Sequence, residues 1–83
     1  MTGDMRILFF AQLKDVTKCE AVEMPSPRPL ASDELWAELL KQFPGLARHR
    51  SSVRLARNME YAPPNAQFSD SDEVALIPPV SGG

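Results

Sequence analysis

Cysteine and histidine are almost missing from this chain, with only Cys19 and His49 among 83 residues. One cysteine excludes an internal disulfide framework, and one cysteine with one histidine excludes a four-ligand zinc site built from these residues. A Ser-His-Asp or Cys-His catalytic set would depend on His49 alone. The sequence therefore argues against a self-contained enzyme, and its unpaired cysteine fits a reducing, cytoplasmic setting.

Long apolar runs and an excess of one charge are also missing. No stretch approaches the ~20 apolar residues of a membrane helix, and Met1–Asp4 lacks the basic start of a signal peptide. The net charge is −2, without the basic footprint of a nucleic-acid-binding protein. We expect neither a membrane nor a nucleic-acid partner. A local basic cluster is interpreted as a solvated face; it comprises Arg48, His49, Arg50, Arg54 and Arg57.

The composition is that of one small folded domain, with 43% hydrophobic and 24% charged residues. Met5–Phe10 is a compact apolar run that predicts a strand buried on both faces. After a polar interval at 12–18, Cys19–Met24 predicts a second strand, with Val22 and Met24 on one face. The two strands could form a hairpin.

A proline-rich connection then leads to one amphipathic helix. Pro25, Pro27 and Pro29 argue against any regular element in that connection. Ser32 is the predicted N-cap, and Pro44-Gly45 ends the helix. Its apolar stripe comprises Leu35, Trp36, Leu39, Leu40 and Phe43.

Three further strand candidates follow the helix. The segment 53–57 alternates apolar residues with Arg54 and Arg57, Glu60–Tyr61 is a short returning strand, and Glu73–Ile77 is the last strand, following a polar turn. The order β-β-α-β-(β)-β, with one main helix on one face of a four- to five-stranded sheet, predicts an α+β roll.

The terminal segment 78–83 is the part with chemical content, and 1–77 is the expected folded domain. Pro78-Pro79 favours an extended chain, which reaches about 20 Å from Ile77 at ~3.3 Å per residue. Gly82 and Gly83 have no Cβ and could enter a narrow channel. The Gly83 carboxylate becomes an electrophile once it is coupled to AMP, and attack by sulfur then yields a thiocarboxylate. The alternative is an inert glycine end, which arises by chance in about one chain in two hundred.

Leu8–Gln12 and Asp72–Gly83 together resemble the small subunits of molybdopterin synthase, a family of ubiquitin-like, β-grasp sulfur carriers. The resemblance covers nearly the whole chain after Asp4. Two departures are the Ala62–Asn65 loop, which leaves the register of 58–68 open, and Ser71, where a glycine is common.

The resemblance implies how the chain works. A ubiquitin-activator-like adenylyltransferase would use ATP to adenylate Gly83, which is then converted to a thiocarboxylate. The synthase large subunit would receive this end and pass sulfur to cyclic pyranopterin monophosphate. The chain itself would bind no cofactor and no metal. The expected partner contacts are Gly82, Ser81, Val80, Pro79, Pro78, Ile77, Phe10 and Leu8.

Strand parity predicts where that partner docks. If Ile7 and Phe9 face the helix, Leu8 and Phe10 share the opposite face, together with Ala75 and Ile77 of the last strand. One helix covers only one face of a sheet, so the other face would expose a contiguous apolar patch, which is typical of an interaction site.

Three other functions stay open at this point: a sulfur carrier for thiamine or another thio-cofactor, a protein modifier joined to lysines, and an interaction module with an inert end. The remaining candidates have structural interpretations. Trp36 and Phe43 are predicted to lie in the core, Cys19 to be buried and His49 to be solvated. Asp70, Asp72 and Glu73 are interpreted as turn and strand-start residues rather than metal ligands.

Overall fold

The computed structural model describes residues 3–26 and 28–78. Its elements follow the chain in the order β1 (Asp4–Phe9), α1 (Gln12–Thr17), β2 (Ala21–Pro25), β3 (Leu30–Ala31), α2 (Ser32–Gln42), a 3₁₀ helix (Pro44–His49), β4 (Arg54–Arg57), β5 (Glu60–Tyr61), β6 (Gln67–Phe68) and β7 (Glu73–Ile77). This is the predicted α+β class, with α2 as the main helix.

Five strands form one mixed sheet in the order β2-β1-β7-β4-β5. The predicted β1–β2 antiparallel pair is present, and β4 and β5 form a second one. The last strand, β7, lies at the centre, parallel to β1 and antiparallel to β4. The first and last strands of the domain are therefore paired in the middle of the sheet. A separate two-stranded ladder joins β3 and β6.

The hydrophobic core lies between α2 and one face of the sheet. Leu35, Trp36 and Leu39 supply the buried stripe of α2, as the helical spacing predicted. The helix ends at Gln42, so Phe43 is its C-cap and not its last turn. Phe43 still packs on the core, with its ring edge-on to Phe9 at a centroid distance of 5.4 Å. The buried sheet side chains include Met5, Ile7, Phe9, Met24, Val74 and Leu76.

Helix α2 begins differently from the prediction. Ser32 is its first helical residue, and the N-cap is Ala31, which has no side-chain acceptor. Glu34 compensates, since its Oε1 accepts a hydrogen bond from the Ala31 backbone N–H at 3.0 Å. Arg28 Nη2 donates to Glu34 Oε2 at 2.7 Å. The Arg28 hydrogen bond, and next the Ala31 N–H, lower the pKa of the exposed Glu34 carboxyl.

The polar interval at 12–18 is helical rather than a loop, which corrects the prediction. Helix α1 is only six residues long and buries Leu13 and Thr17. The Thr17 hydroxyl donates to the backbone oxygens of Leu13 and Cys19, at 3.1 and 2.9 Å. The β1–β2 connection is therefore a short ordered helix that ends with Lys18 in the left-handed conformation.

The proline-rich connection is more regular than predicted. Pro25 is the last residue of β2, and β3 starts directly after Pro29. Proline is compatible with a strand end because the edge of a ladder needs no further N–H donor. Pro27 lies outside the described residues.

Strand β4 differs from its predicted alternation. The register pairs Arg57 with Val74, so Arg57 lies on the helix side of the sheet rather than beside Arg54. Its guanidinium reaches out to donate from Nη1 to the Gln67 backbone oxygen at 2.6 Å. This hydrogen bond links the main sheet to the β3–β6 ladder.

Candidate functional site

The sheet face turned away from α2 carries an apolar row that crosses four strands. Leu8 of β1 pairs with Ala75 of β7, Ala75 pairs with Ala56 of β4, and Ala56 pairs with Tyr61 of β5. Ile77 lies two residues after Ala75 and therefore on the same face. The register thus confirms that Leu8, Ala75 and Ile77 face away from the helix.

These residues line a concavity of about 380 Å³, which we call the open-face concavity. Its lining comprises Leu8, Phe10, Ala56, Met59, Tyr61, Glu73, Ala75 and Ile77. Two of these lining side chains are small, Ala56 of β4 and Ala75 of β7, and most of the others are large and apolar. The predicted apolar patch is therefore present and is concave rather than flat.

The exposure of apolar side chains is concentrated at this concavity. Within residues 3–26 and 28–78, the large hydrophobic side chains that are well exposed are Phe10 at 44%, Met59 at 92% and Tyr61 at 64%. All three line the open-face concavity. Exposed apolar side chains that cluster in this way are typical of an interaction surface.

Charged groups stand at opposite ends of the concavity. Glu73 lines the end at the start of β7. At the other end, Arg54 pairs with Ile77, and its guanidinium lies 5.7 Å from the centroid of the Tyr61 ring. A cation over an aromatic face is attractive, so Arg54 and Tyr61 restrain each other at the rim beside the last residue of β7.

Four lining residues were missed by sequence reasoning as site residues, namely Ala56, Met59, Tyr61 and Glu73. Tyr61 was predicted as a strand residue, and neither Tyr61 nor Met59 was placed on the docking face. Strand β5 pairs with β4, which itself joins β7 from a distant part of the sequence. The face of Tyr61 follows from this long-range register, which local alternation does not reveal. The available signal for Met59 was an apolar residue in the exposed turn that follows Arg57.

The structure brings together Leu8, Phe10 and Ile77 of the predicted partner contacts. Pro78 follows Ile77 directly and is half-buried. The other predicted site residues lie outside the described residues; they are Pro79, Val80, Ser81, Gly82 and Gly83. Strand β7, the central strand, therefore ends at the end of the concavity where Phe10 and Ile77 lie.

The remaining candidates lie elsewhere. Trp36 is buried in the core, as predicted. Cys19 is half-buried and packs against the core, which makes it less buried than predicted. His49 ends the 3₁₀ helix and is half-buried rather than fully solvated.

The described residues offer neither a metal-binding cluster nor a membrane-spanning helix. Across 3–26 and 28–78, no three His, Cys, Asp or Glu residues are grouped so that they could hold a metal ion. None of the helices in this part of the chain has the length and apolarity needed to span a membrane.

Comparison with known proteins assigns the chain to a family. The ThiS family matches residues 7–83. The chain belongs to the ThiS family. Two relatives of this family member are each named molybdopterin synthase sulfur carrier subunit. The relative from Arabidopsis thaliana is 35% identical, and the match covers 96% of this chain and 83% of the relative. The relative from Homo sapiens is 32% identical, and the match covers 95% of this chain and 93% of the relative.

Solved structures agree on the ubiquitin-like β-grasp fold. The crystal structure of SAMP1 from Haloferax volcanii superposes with a TM-score of 0.83 at 28% identity, covering 98% of this chain and 100% of that chain. A second match belongs to the protein–protein complex of subunits 1 and 2 of molybdopterin-converting factor from Helicobacter pylori. Its TM-score is 0.67 at 26% identity, with 96% and 99% coverage.

Proposed function

We propose that this ThiS-family chain is the sulfur-carrier subunit of molybdopterin synthase. The observation that carries the proposal is the open-face concavity, which places exposed Phe10 and Tyr61 beside the end of β7. A sulfur carrier needs a docking surface next to a terminal segment that can enter a partner's active site. The relatives named as sulfur carrier subunits of molybdopterin synthase support this assignment.

The chemistry is proposed to take place at the Gly83 carboxylate. Attack of this carboxylate on ATP forms an acyl-adenylate and releases pyrophosphate. A sulfur nucleophile at the oxidation level of sulfide then forms a C–S bond, the bond to the AMP oxygen breaks, and AMP leaves. The product is a terminal thiocarboxylate. Gly82 and Gly83 lack β-carbons, so this end fits a narrow channel that a larger residue would block.

Two partners follow from this scheme. A ubiquitin-activator-like adenylyltransferase supplies the ATP-dependent step, so that the carrier itself holds no cofactor. The synthase large subunit receives the thiocarboxylate, which donates sulfur to cyclic pyranopterin monophosphate. The carrier contributes the sulfur and no acid, base or metal of its own, and it acts in the cytoplasm. The solved complex of subunits 1 and 2 from Helicobacter pylori supports a two-subunit assembly.

Intact mass spectrometry of protein isolated from its native cell tests the sulfur step. We expect a species in which one terminal oxygen is replaced by sulfur, and we expect that species to form dithiolene product when it is mixed with the large subunit and precursor. A control chain with one alanine added after Gly83 should carry no sulfur, because its α-carboxylate no longer belongs to glycine. Carboxylate alone in the native protein, together with no product on reconstitution, contradicts the proposal.

A protein modifier is the second candidate, favoured by the likeness to a structure named as SAMP1, a small archaeal modifier protein. The two functions share an activated Gly83 and differ in the nucleophile that attacks it. Sulfur gives a thiocarboxylate, whereas a lysine amine gives an isopeptide bond. Peptide mapping of cellular proteins for lysines that carry a Ser81-Gly82-Gly83 remnant distinguishes the two functions. Trypsin alone would leave the long segment 58–83 on the lysine, because the last basic residue before Gly83 is Arg57, so a second protease is needed.

A further inference from the structure

The Asn58–Met59 turn departs from the usual chemistry of its geometry. Arg57 pairs with Glu60, so β4 and β5 are joined by a two-residue loop. Both loop residues have positive φ angles, 51° at Asn58 and 73° at Met59. This is the type I′ hairpin geometry, in which asparagine is common first and glycine second. Methionine is unfavourable at the second position because its β-carbon crowds the backbone there.

Burial within this chain does not explain the methionine, since 92% of Met59 is exposed. The turn is nevertheless held firmly. The Asn58 N–H donates to the Glu73 oxygen at 2.8 Å, and the Glu73 N–H donates back to Asn58 Oδ1 at 3.0 Å. Asn58 Nδ2 also donates to Asp72 Oδ1 at 3.1 Å. These three hydrogen bonds fix the turn to the start of β7 and present Met59 in one backbone conformation.

The location of Met59 indicates a binding role for this strained residue. It lines the open-face concavity together with Tyr61 and Phe10, and these are the exposed large apolar side chains of the part that the structure describes. Backbone conformations of this kind are concentrated at functional sites, where a rigid surround maintains them. A thioether side chain is apolar and adapts to an irregular socket.

We propose that Met59 is a specificity-determining contact, held out by the Asn58 turn so that it enters an apolar socket on the synthase large subunit. This inference rests on the proposed function. It extends the docking surface from the central strands to the β4–β5 hairpin, so that the partner is held at both the Phe10–Ile77 end and the hairpin end of the concavity. Holding Met59 before binding reduces the ordering that association requires.

The test replaces Met59 and measures both stability and affinity. Met59→Gly should raise Tm by about 4–8 °C, because glycine adopts positive φ without strain. The same substitution should weaken binding to the purified large subunit by about tenfold, because an apolar contact is lost. Met59→Leu should keep most of the affinity. Met59→Gln, which is similar in length but polar, should lose it.

Ser71 offers a matched control. It also has a φ of 73° and is exposed, but it lies in the turn before β7 and not among the described lining residues. Ser71→Gly should raise Tm without changing affinity. If Met59→Gly raises Tm and binds as tightly as the wild type, the inference is overturned while the proposed function stands. If the wild-type chain itself does not bind the large subunit, the proposed function is overturned as well.

Discussion

Phe9 and Phe10 are adjacent aromatic residues with opposite surroundings. Phe9 is 1% exposed, lies in the core and meets the edge of Phe43, whereas Phe10 is 44% exposed and lines the open-face concavity. Phe9→Ala should therefore destabilise the fold by about 3–5 kcal/mol through a core cavity. Phe10→Ala should change stability much less and should weaken the complex with the large subunit by about tenfold or more. Chemical denaturation and titration calorimetry measure the two effects.

This pair is its own control, because the same chemical change is made at neighbouring positions. Ile77→Ala extends the test to β7, where the side chain is half-buried beside Arg54. We expect it to weaken binding as Phe10→Ala does. Unchanged affinity for both Phe10→Ala and Ile77→Ala would show that the open-face concavity is not the docking surface.

At single positions, sequence reasoning succeeded where side-chain parity within one strand was sufficient. Leu8 and Ile77 were placed on the open face because successive strand residues alternate. Tyr61 and Met59 could not be placed there in the same way. Their location depends on the pairing of β4 with β7, which joins distant parts of the sequence, and on a positive φ at a residue type that rarely adopts one.

Helix α2 depends on a carboxylate for its first turn, since Ala31 cannot cap it. Glu34 accepts hydrogen bonds from the Ala31 N–H and from Arg28, and the pKa of its carboxyl is lowered from 4.5. A lowered folded-state pKa contributes stability above the unfolded-state value, and this stability is lost as the pH falls through the folded-state pKa. We expect Glu34→Gln to lower Tm slightly at pH 7, and the difference from wild type to shrink as the pH falls below the ordinary carboxyl pKa and through the lowered folded-state pKa.

Glu38→Gln is the matched control for this titration. Glu38 lies one turn later on the same helix and contacts Lys41 at 2.9 Å across exposed surface. Such a pair contributes little to stability, and Glu38 has no hydrogen bond to the start of the helix among the described contacts. Thermal unfolding from pH 7 to pH 3 should therefore show a larger pH-dependent difference for Glu34→Gln. Equal pH profiles for the two variants would contradict the capping role.

The accuracy of the element predictions followed the strength of the local signals. Strand β7 has the predicted bounds, Glu73–Ile77, because a polar turn precedes it and two prolines follow it. Helix α1 was missed because six residues offer less than two turns of periodicity and only Leu13 and Thr17 are buried. Strands β3 and β6 have two residues each and exist through their mutual pairing. Neither segment carries a pattern long enough to indicate a strand.

On the scale of the whole molecule, the proposed docking surface belongs to the folded part of the chain, whereas the proposed chemistry belongs to its terminal segment. The core residues of the described part of the chain lie between Met5 and Leu76. Strand β7 occupies the middle of the sheet and pairs with both β1 and β4. Its end is thus held by two neighbours while the chain continues toward Gly83. This topology anchors the chain just before the segment where the proposed chemistry takes place.

Deleting Gly82 and Gly83 should separate these two properties. We expect Tm to stay within about 2 °C of the wild type, because the described core residues end at Leu76 and changes outside a core have small effects. The truncated chain should still bind the large subunit through Phe10 and the open-face concavity, but it should acquire no sulfur and form no product. It should therefore inhibit the wild-type carrier by competing for the large subunit. Phe10→Ala in the truncated chain is the control, because it removes the docking contact and should abolish the inhibition. Sulfur transfer at the wild-type rate by the truncated chain would show that the terminal glycines are not the reactive end.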